Sequence, residues 1–367
     1  MRMRAITALL VSLATSHTMA EVQPDVIGQA RMKTPEATWV MAKYYGPHYI
    51  FDLANGEMQG MLPLTEYTPA VEPNLERGEI YAAESYYSRG SRGKRTDIVN
   101  IYDMQTLSSI AEIEIPQKAA ALSFRQYIGL LDDSKHLTIF NMTPAQSVSI
   151  VDIVERKFVT EVSTPGCALV MPMRGRSFMQ LCGDGTLQLI SLDENGKEIG
   201  RTRSAVVFSV EDDPLYDKPV ATESGWLLLS FEGQVFEASI QDDKISLTKP
   251  WSILSEEDKA DTWKPGGGQI LAYHKKLDLI FTLMHQGGPY THEQDGDEVW
   301  IFDRKAQRRI SRIKLPAPAN NIHISQNEDP LLAVNDRENK LHVFDVRTTR
   351  LVRTINEVAG AGLLQGF

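Results

Sequence analysis

One theme recurs along this chain: an alternating apolar strand ending in Asp, a polar turn, then a second strand. It appears as "YIFDLANGEMQGMLPL" around Asp52, "IVNIYDMQTLSSIAEIEIP" around Asp103 and "SVSIVDIVERKFVTEVSTP" around Asp152. Looser copies surround Ser191 and Ser239, and clear ones return around Asp303 and Asp345. The marks are separated by 51, 49, 39, 48, 64 and 42 residues. Each copy alternates apolar and polar residues, so one small sheet leaves apolar surface that it cannot bury alone. Stacking such sheets radially buries those faces against one another, and a period of this length carrying several short strands marks a β-propeller. Seven echoes predict an all-β fold of seven four-stranded antiparallel blades. A pair of β-sandwiches would show the alternation but not the period. Asn55-Gly56 and Asn195-Gly196 sit where turns between strands need positive φ.

The 64-residue interval has to hold an insertion. There "SEEDKADTW" (255–263) reads as a short surface helix, capped by Ser255, with Glu256 and Glu257 at its positive end. The glycines 266–268 after Pro265 mark its stop. A polar loop, "HQGGPYTHEQDGDE" (285–298), follows. The aromatic group Tyr44, Tyr45, Tyr49 and Phe51 is expected in blade core.

The first twenty residues read as a secretory signal peptide: Arg2 and Arg4, a short apolar run, then Thr18-Met19-Ala20. That divides the chain into a signal peptide (1–20), an N-terminal tail (21–45) and one propeller domain (46–367), and predicts export to the periplasm. The apolar run is too short to span a bilayer, and no later segment holds 18 consecutive apolar residues. Losing Arg2 and Arg4 moves the formal charge from −10 to −12, which argues against a nucleic-acid partner. In an exported chain the two cysteines, Cys167 and Cys182, suggest one disulfide closing a short loop.

"YYSRGSRGKRTD" (86–97) concentrates Arg89, Arg92, Lys94 and Arg95 in an acidic chain. It is not a phosphate-binding loop: Ser88 stands where the first Gly is needed, Arg95 follows the Lys, and "TDIVNIYD" is a strand rather than a helix. A solvated loop or a docking loop remain as readings. No Gly-x-Ser-x-Gly elbow occurs. His285, His292 and Glu293 do not have zinc-ligand spacing and read as a solvated loop, so no metal is expected. His274 reads as a hydrogen-bonded structural histidine.

Four ordered blocks are more specific. They are "GEIYAAESYYSRGSRGKRTDIVNIYD" (78–103), "GCALVMP" with "FMQLCGDGTL" (166–187), "LSEEDKADTWKPGG" with "LAYHKKLDLIF" (254–281), and "IHISQNEDPLLAV" (322–334). With them the chain resembles the large, or heavy, subunit of the quinoprotein amine dehydrogenases, the methylamine and aromatic amine dehydrogenase family, from about Ala42 to its end. The resemblance implies a YVTN/methylamine-dehydrogenase-like propeller and a Cys167–Cys182 disulfide. It implies a periplasmic heterotetramer of two large and two small subunits that deaminates a primary amine oxidatively to aldehyde and ammonia. It places the cofactor, tryptophan tryptophylquinone, and the catalytic base on the small subunit. It names a cupredoxin, amicyanin or azurin, as electron acceptor. No catalytic residue is then expected on this chain. Tyr67, in "LTEYTPAV", falls at the family's aromatic position at the mouth of the substrate channel, where Phe is usual. Arg89, Arg92, Lys94 and Arg95 are expected to face the partner subunit. "KPGGGQI" departs from the family, which often has a bulky aromatic near Gly268. The alternative is a stand-alone periplasmic propeller, either a lactonase-like hydrolase or a binding module.

Overall fold

In the computed structural model, residues 31–367 are described except for 69, 119–123, 143–144 and 359–360. The signal peptide lies outside the described residues, as does the part of the tail before residue 31.

The aspartates that mark the repeat are turn-makers. Each ends the third strand of its copy and turns its carboxylate back on the next backbone N–H groups. Asp103 accepts from Gln105 and Thr106 at 3.1 and 2.7 Å, and Asp152 from Val154 and Glu155 at 2.9 and 2.8 Å. Asp52 accepts from Ala54, Asp303 from Ala306 and Asp345 from Thr348 in the same way. A short carboxylate that satisfies two turn amides favours a tight reversal over continued strand. Gly56 and Gly196 take φ of 82° and 76°, as the Asn-Gly turns predicted.

Among the described residues the strands assemble into six sheets, all antiparallel. Sheet 1 holds Trp39–Lys43, His48–Asp52, Met58–Leu62 and, on its inner side, the C-terminal strand Leu363–Gly366. Sheets 2, 3 and 4 are four-stranded and cover 71–115, 128–163 and 167–203. Sheet 5, over 220–247, has four strands in sequence and a fifth, Trp251–Ser252, added beside its third. Sheet 6 has eight strands.

This is a propeller of four-stranded antiparallel blades, but the sheet count differs from the sequence expectation of seven. Five blades stand alone. Where two more were expected, one eight-stranded sheet runs through, because Arg308–Ile324 is a single strand of 17 residues. Its first half pairs with Gly296–Asp303 and its second half with Leu331–Asp336, with a register break between Ala319 and Asn321. Trp39–Lys43 corrects the boundary as well. It was placed in the tail, but it is fully buried and is a central strand of sheet 1.

The core lies between blades. Tyr81, Val99 and Ile101 of sheet 2 pack on Ile128, Leu137 and Val151 of sheet 3. Met171 and Met179 of sheet 4 meet Leu228 and Phe236 of sheet 5. Within sheet 6, Phe281 and Ile301 pack against Ile322 and Leu332, so its two halves also bury one another. Ala333 and Val343 then pack on Val40 and Phe51 of sheet 1. Fully burying one such side chain stabilises by about 1.5–3 kcal/mol, so each junction is strong without any single essential residue.

The insertion helix is Glu256–Ala260. Ser255 and Asp258 form a reciprocal capping box, and Arg309 reaches both carboxylate oxygens of Asp258 at 2.9 Å. The chain is back in a strand by Trp263–Pro265, so the helix stops well before the three glycines.

Candidate functional site

One end of sheets 1 and 2 collects the residues that the sequence singled out. The strands Glu79–Arg89 and Arg92–Asp103 are 11 and 12 residues long; they stay in register from Glu79 opposite Asp103 to Tyr87 opposite Arg95, and the register shifts once before Arg89 pairs with Arg92. Neighbouring central strands have five or six residues, so this hairpin continues past the blade into solvent. Gly90 at φ 68° and Gly93 at φ 98° shape its tip, and the Ser88 hydroxyl accepts the Lys94 N–H at 3.0 Å. The stretch 86–97 is thus a hairpin end with a strand following it, as its failure to match a phosphate loop implied.

The four cations separate into two kinds. Arg89, Arg92 and Lys94 are exposed, and no ion pair among the described residues engages them. Arg95 is a brace. It pairs with Asp97 at 3.0 Å and donates to the Ser85 hydroxyl at 3.3 Å and to the Lys118 carbonyl at 2.9 Å.

Tyr67 sits in the loop between Met58–Leu62 and Val71–Asn74, partly exposed, with its ring edge-on to Tyr87 at 5.3 Å. The neighbouring Glu66 carboxylate raises its phenol pKa. Two buried acids beneath organise the loop. Glu84 is fully buried; its Oε1 accepts the Thr65 N–H at 3.0 Å. Its Oε2 accepts from Asn100, Tyr102 and Tyr86 at 2.9, 2.8 and 3.2 Å. Asp97 accepts the Lys118 N–H at 3.1 Å. Lys118, 1% exposed, sends its ammonium to the Tyr67 carbonyl at 2.5 Å. Burial pulls its pKa down to about 7; Asp97 and Glu84 work against that shift, while Arg95 and Lys43 add to it.

Sequence reasoning missed Glu84, Asp97 and Lys118. The available signal was acidic residues inside strands otherwise read as core, since Glu84 and Asp97 interrupt "IYAAES" and "TDIVNIY". The aromatic group beside them was only half placed. Phe51 and Tyr49 join the core, but Tyr44 and Tyr45 are 38% and 75% exposed and meet edge-on at 5.0 Å. Their turn packs on the Tyr67 loop, since a Cβ at Gly46 would lie 2.8 Å from the Leu64 carbonyl.

A second feature is a cavity of about 390 Å³ on the axis, lined by residues on or beside the inner strands, among them Glu72, Ile128, Val170, Val220, Leu271 and Leu363. Glu72 pairs there with Arg125 at 2.7 Å. Burial raises its pKa, and Arg125 opposes that. Gly268 borders this cavity; a Cβ there would lie 2.3 Å from the Asn320 side chain, so a larger residue at this position would need Asn320 to move.

Elsewhere, Cys167 and Cys182 lie opposite one another on adjacent strands and are disulfide-bonded. His274 is structural, as expected: it accepts the Leu277 N–H at 3.0 Å and contacts the Asn327 carbonyl at 3.1 Å. His285 corrects the loop reading. It is fully buried near the end of Leu279–Gln286 and bonded to the Thr291 hydroxyl at 2.9 Å. His292 stacks on Phe231 at 4.3 Å. Among the described residues no group of three or more His, Cys, Asp or Glu is placed to hold a metal ion, and no helix is long and apolar enough to cross a membrane.

The architecture defines the class first. Solved structures superpose over most of the chain. A putative 6-phosphogluconolactonase from Bacteroides fragilis does so with a TM-score of 0.58 over 94% of this chain and 99% of its own, at 13% identity. The dihydro-heme d1 dehydrogenase NirN gives 0.57 over 90% and 75%, at 16% identity. Identities this low show the fold alone. Sequence gives the family: residues 43–364 match the methylamine dehydrogenase heavy chain (MADH) model, and this chain belongs to that family. Among similar proteins, the methylamine dehydrogenase heavy chain of Methylophilus methylotrophus is 30% identical over 76% of this chain and 69% of its own length. That of Paracoccus versutus is 30% identical over 77% and 67%.

Proposed function

We propose that this chain is the large, cofactor-free subunit of a periplasmic amine dehydrogenase that converts a primary amine to aldehyde and ammonia. The observation that carries the reading is the heavy-chain family match, which runs from the end of the strand Trp39–Lys43, at residue 43, into the closing strand Leu363–Gly366, at residue 364. With the two halves of sheet 6 counted separately, the propeller has seven blades. The partner is a small subunit in a heterotetramer of two large and two small chains, and electrons leave to a cupredoxin such as amicyanin or azurin.

In such an enzyme tryptophan tryptophylquinone, carried by the small subunit, supplies the carbonyl and the electron sink. This chain's own tryptophans do not fit that group. Trp263 and Trp300 come within 5.1 Å, but Trp300 is fully buried and both rings lie under the guanidinium of Arg312, with Arg309 also over Trp300. An amine has no approach there, and both rings serve packing and cation–π contact.

What the chain contributes is a shaped surface. Arg89, Arg92 and Lys94, held clear of the blade on the long hairpin, supply positive charge for docking to an acidic partner face. The exposed Tyr44 and Tyr45, on the turn that packs against the Tyr67 loop, offer contact area with little side-chain entropy to lose. Tyr67 forms part of the channel wall. Its hydroxyl gives the mouth a polar edge, and Glu66 beside it favours an approaching alkylammonium.

The test is co-expression with the small subunit and its maturation proteins, followed by amine-dependent dye reduction. Activity is expected in the assembled complex and little in the isolated chain. Amine-dependent dye reduction by the purified chain alone would overturn the reading.

A further inference from the structure

The Tyr67 loop is tied down at two points from beneath. Thr65 is held by Glu84, and the Thr65 carbonyl accepts the Thr68 N–H at 3.2 Å. The second tie is unusual, because it brings a lysine ammonium into the protein interior. Lys118 follows the outer strand Ser109–Ile115, 51 positions away from Tyr67 in sequence. Its backbone is clamped on both sides, the N–H by Asp97 and the carbonyl by Arg95. Its side chain runs beside a small cavity walled by Ala70, Ala83, Ile128, Ile139 and Phe140. An apolar side chain would suit that wall at no electrostatic cost, whereas a buried ammonium is costly unless it is well bonded. One of the contacts that holds it there fixes a backbone carbonyl, that of Tyr67.

We propose that Lys118 is a positioning residue: by holding the Tyr67 carbonyl it fixes where the Tyr67 ring stands, and so sets which amines pass the channel mouth by size. The second half of this inference rests on the reading of Tyr67 as a channel residue; the first half does not. The groups facing the ammonium are Asp97 and Arg95 from one central strand, Glu84 from the other and Lys43 from sheet 1. Burial brings Lys118 to about 7, so its charge, and with it the strength of the tie, changes across neutral pH.

Hydrogen exchange on the purified full chain reads the tie without any cofactor. In Lys118→Met, amides of the 63–68 segment should exchange about tenfold faster while the strand Leu341–Asp345 is unchanged, and Lys118→Arg should recover most of the protection. In the wild type, protection of that segment, corrected for intrinsic exchange, should weaken between about pH 6 and 9. In the assembled enzyme Lys118→Met should shift the kcat/KM ratio between a small aliphatic and a bulky aromatic amine by about fivefold, through KM rather than kcat. Unchanged exchange at 63–68 in Lys118→Met overturns the proposal. Faster exchange with the same amine ratio in both Lys118→Met and Tyr67→Ala leaves the tie standing and removes Tyr67 from the channel. If Lys118→Met does not fold, the decision passes to the wild-type pH profile, and a profile that stays flat at 63–68 then refutes the tie.

Discussion

Glu84→Gln is the sharpest test of the buried network. The change keeps size and shape but replaces an acceptor-only carboxylate with an amide that has one acceptor oxygen and one NH2 donor group. The carboxylate now takes one bond at Oε1, from the Thr65 N–H, and three at Oε2, from Asn100, Tyr102 and Tyr86. If the amide oxygen keeps the three, its NH2 faces the Thr65 N–H and two donors oppose one another. If the amide flips, three donors lose their acceptor. The first arrangement is cheaper. It weakens three charge-assisted bonds to neutral ones and leaves one backbone N–H unsatisfied, for a total of about 2–4 kcal/mol. A chain this long loses roughly 1–2 °C of Tm per kcal/mol, so the melt should fall by about 3–6 °C. Thermal unfolding followed by circular dichroism measures that, and hydrogen exchange at Thr65 should rise in parallel. A Tm within about 1 °C of wild type, with Thr65 still protected, would refute the claim that this carboxylate organises the loop.

Four further outcomes follow from the same geometry. Replacing Arg92 and Lys94 with Ala should weaken association with the small subunit, and more at low than at high salt; equal affinity at both would return the hairpin tip to a solvated loop. Substituting both Cys167 and Cys182 by Ala should cost about 3 kcal/mol in denaturant unfolding, as expected for a loop of this length, and unreduced denatured protein should show no free thiol. Arg309→Ala should cost about 1–3 kcal/mol and loosen Glu256–Ala260, because it strips the buried Asp258 of its cation and Trp300 of a guanidinium 4.0 Å from its ring; an unchanged denaturation midpoint would count against this. Lys118 has a folded pKa of about 7 against an ordinary 10.5, so below about 7 both states hold the proton and burial of the charge is fully felt. Between those values only the unfolded chain keeps it, so stability should rise with pH, Lys43 at about 8 should add to the rise, and Lys118→Met should flatten it; equal slopes in variant and wild type would refute the assignment.

The propeller was legible because its repeat is written twice, in strand alternation and in the aspartates that close the turns, and both are local. The sheet count was not legible at the Arg308–Ile324 strand, because whether two blades share one strand depends on a register break near Ala319 that no spacing announces. The strand Trp39–Lys43 was hidden for a related reason: its partner on the inner side is the far end of the chain. At the site, the exposed hairpin cations stood out as a charge run, but Arg95 could not be separated from its neighbours without knowing that Asp97 and the Lys118 carbonyl lie beside it. Tyr67 was singled out by resemblance alone. Lys118 was invisible, since a lysine in "PQKAA" reads as surface until a distant loop is folded over it.

Pairing Leu363–Gly366 with Trp39–Lys43 makes the ring depend on the last few residues of the chain. Until they arrive, sheet 1 presents a bare inner edge, and the blades form an open arc with two unsatisfied ends. The entropy of bringing such distant segments together grows only with the logarithm of their separation, about 5 kcal/mol for this loop and about 0.6 more if the chain were twice as long. Circumference is therefore inexpensive, and the one blade junction completed at closure, where Ala333, Leu341 and Val343 pack on Val40 and Phe51, outweighs it. A chain that stops a handful of residues short loses no blade and little core, yet leaves an exposed strand edge open to pairing with another molecule.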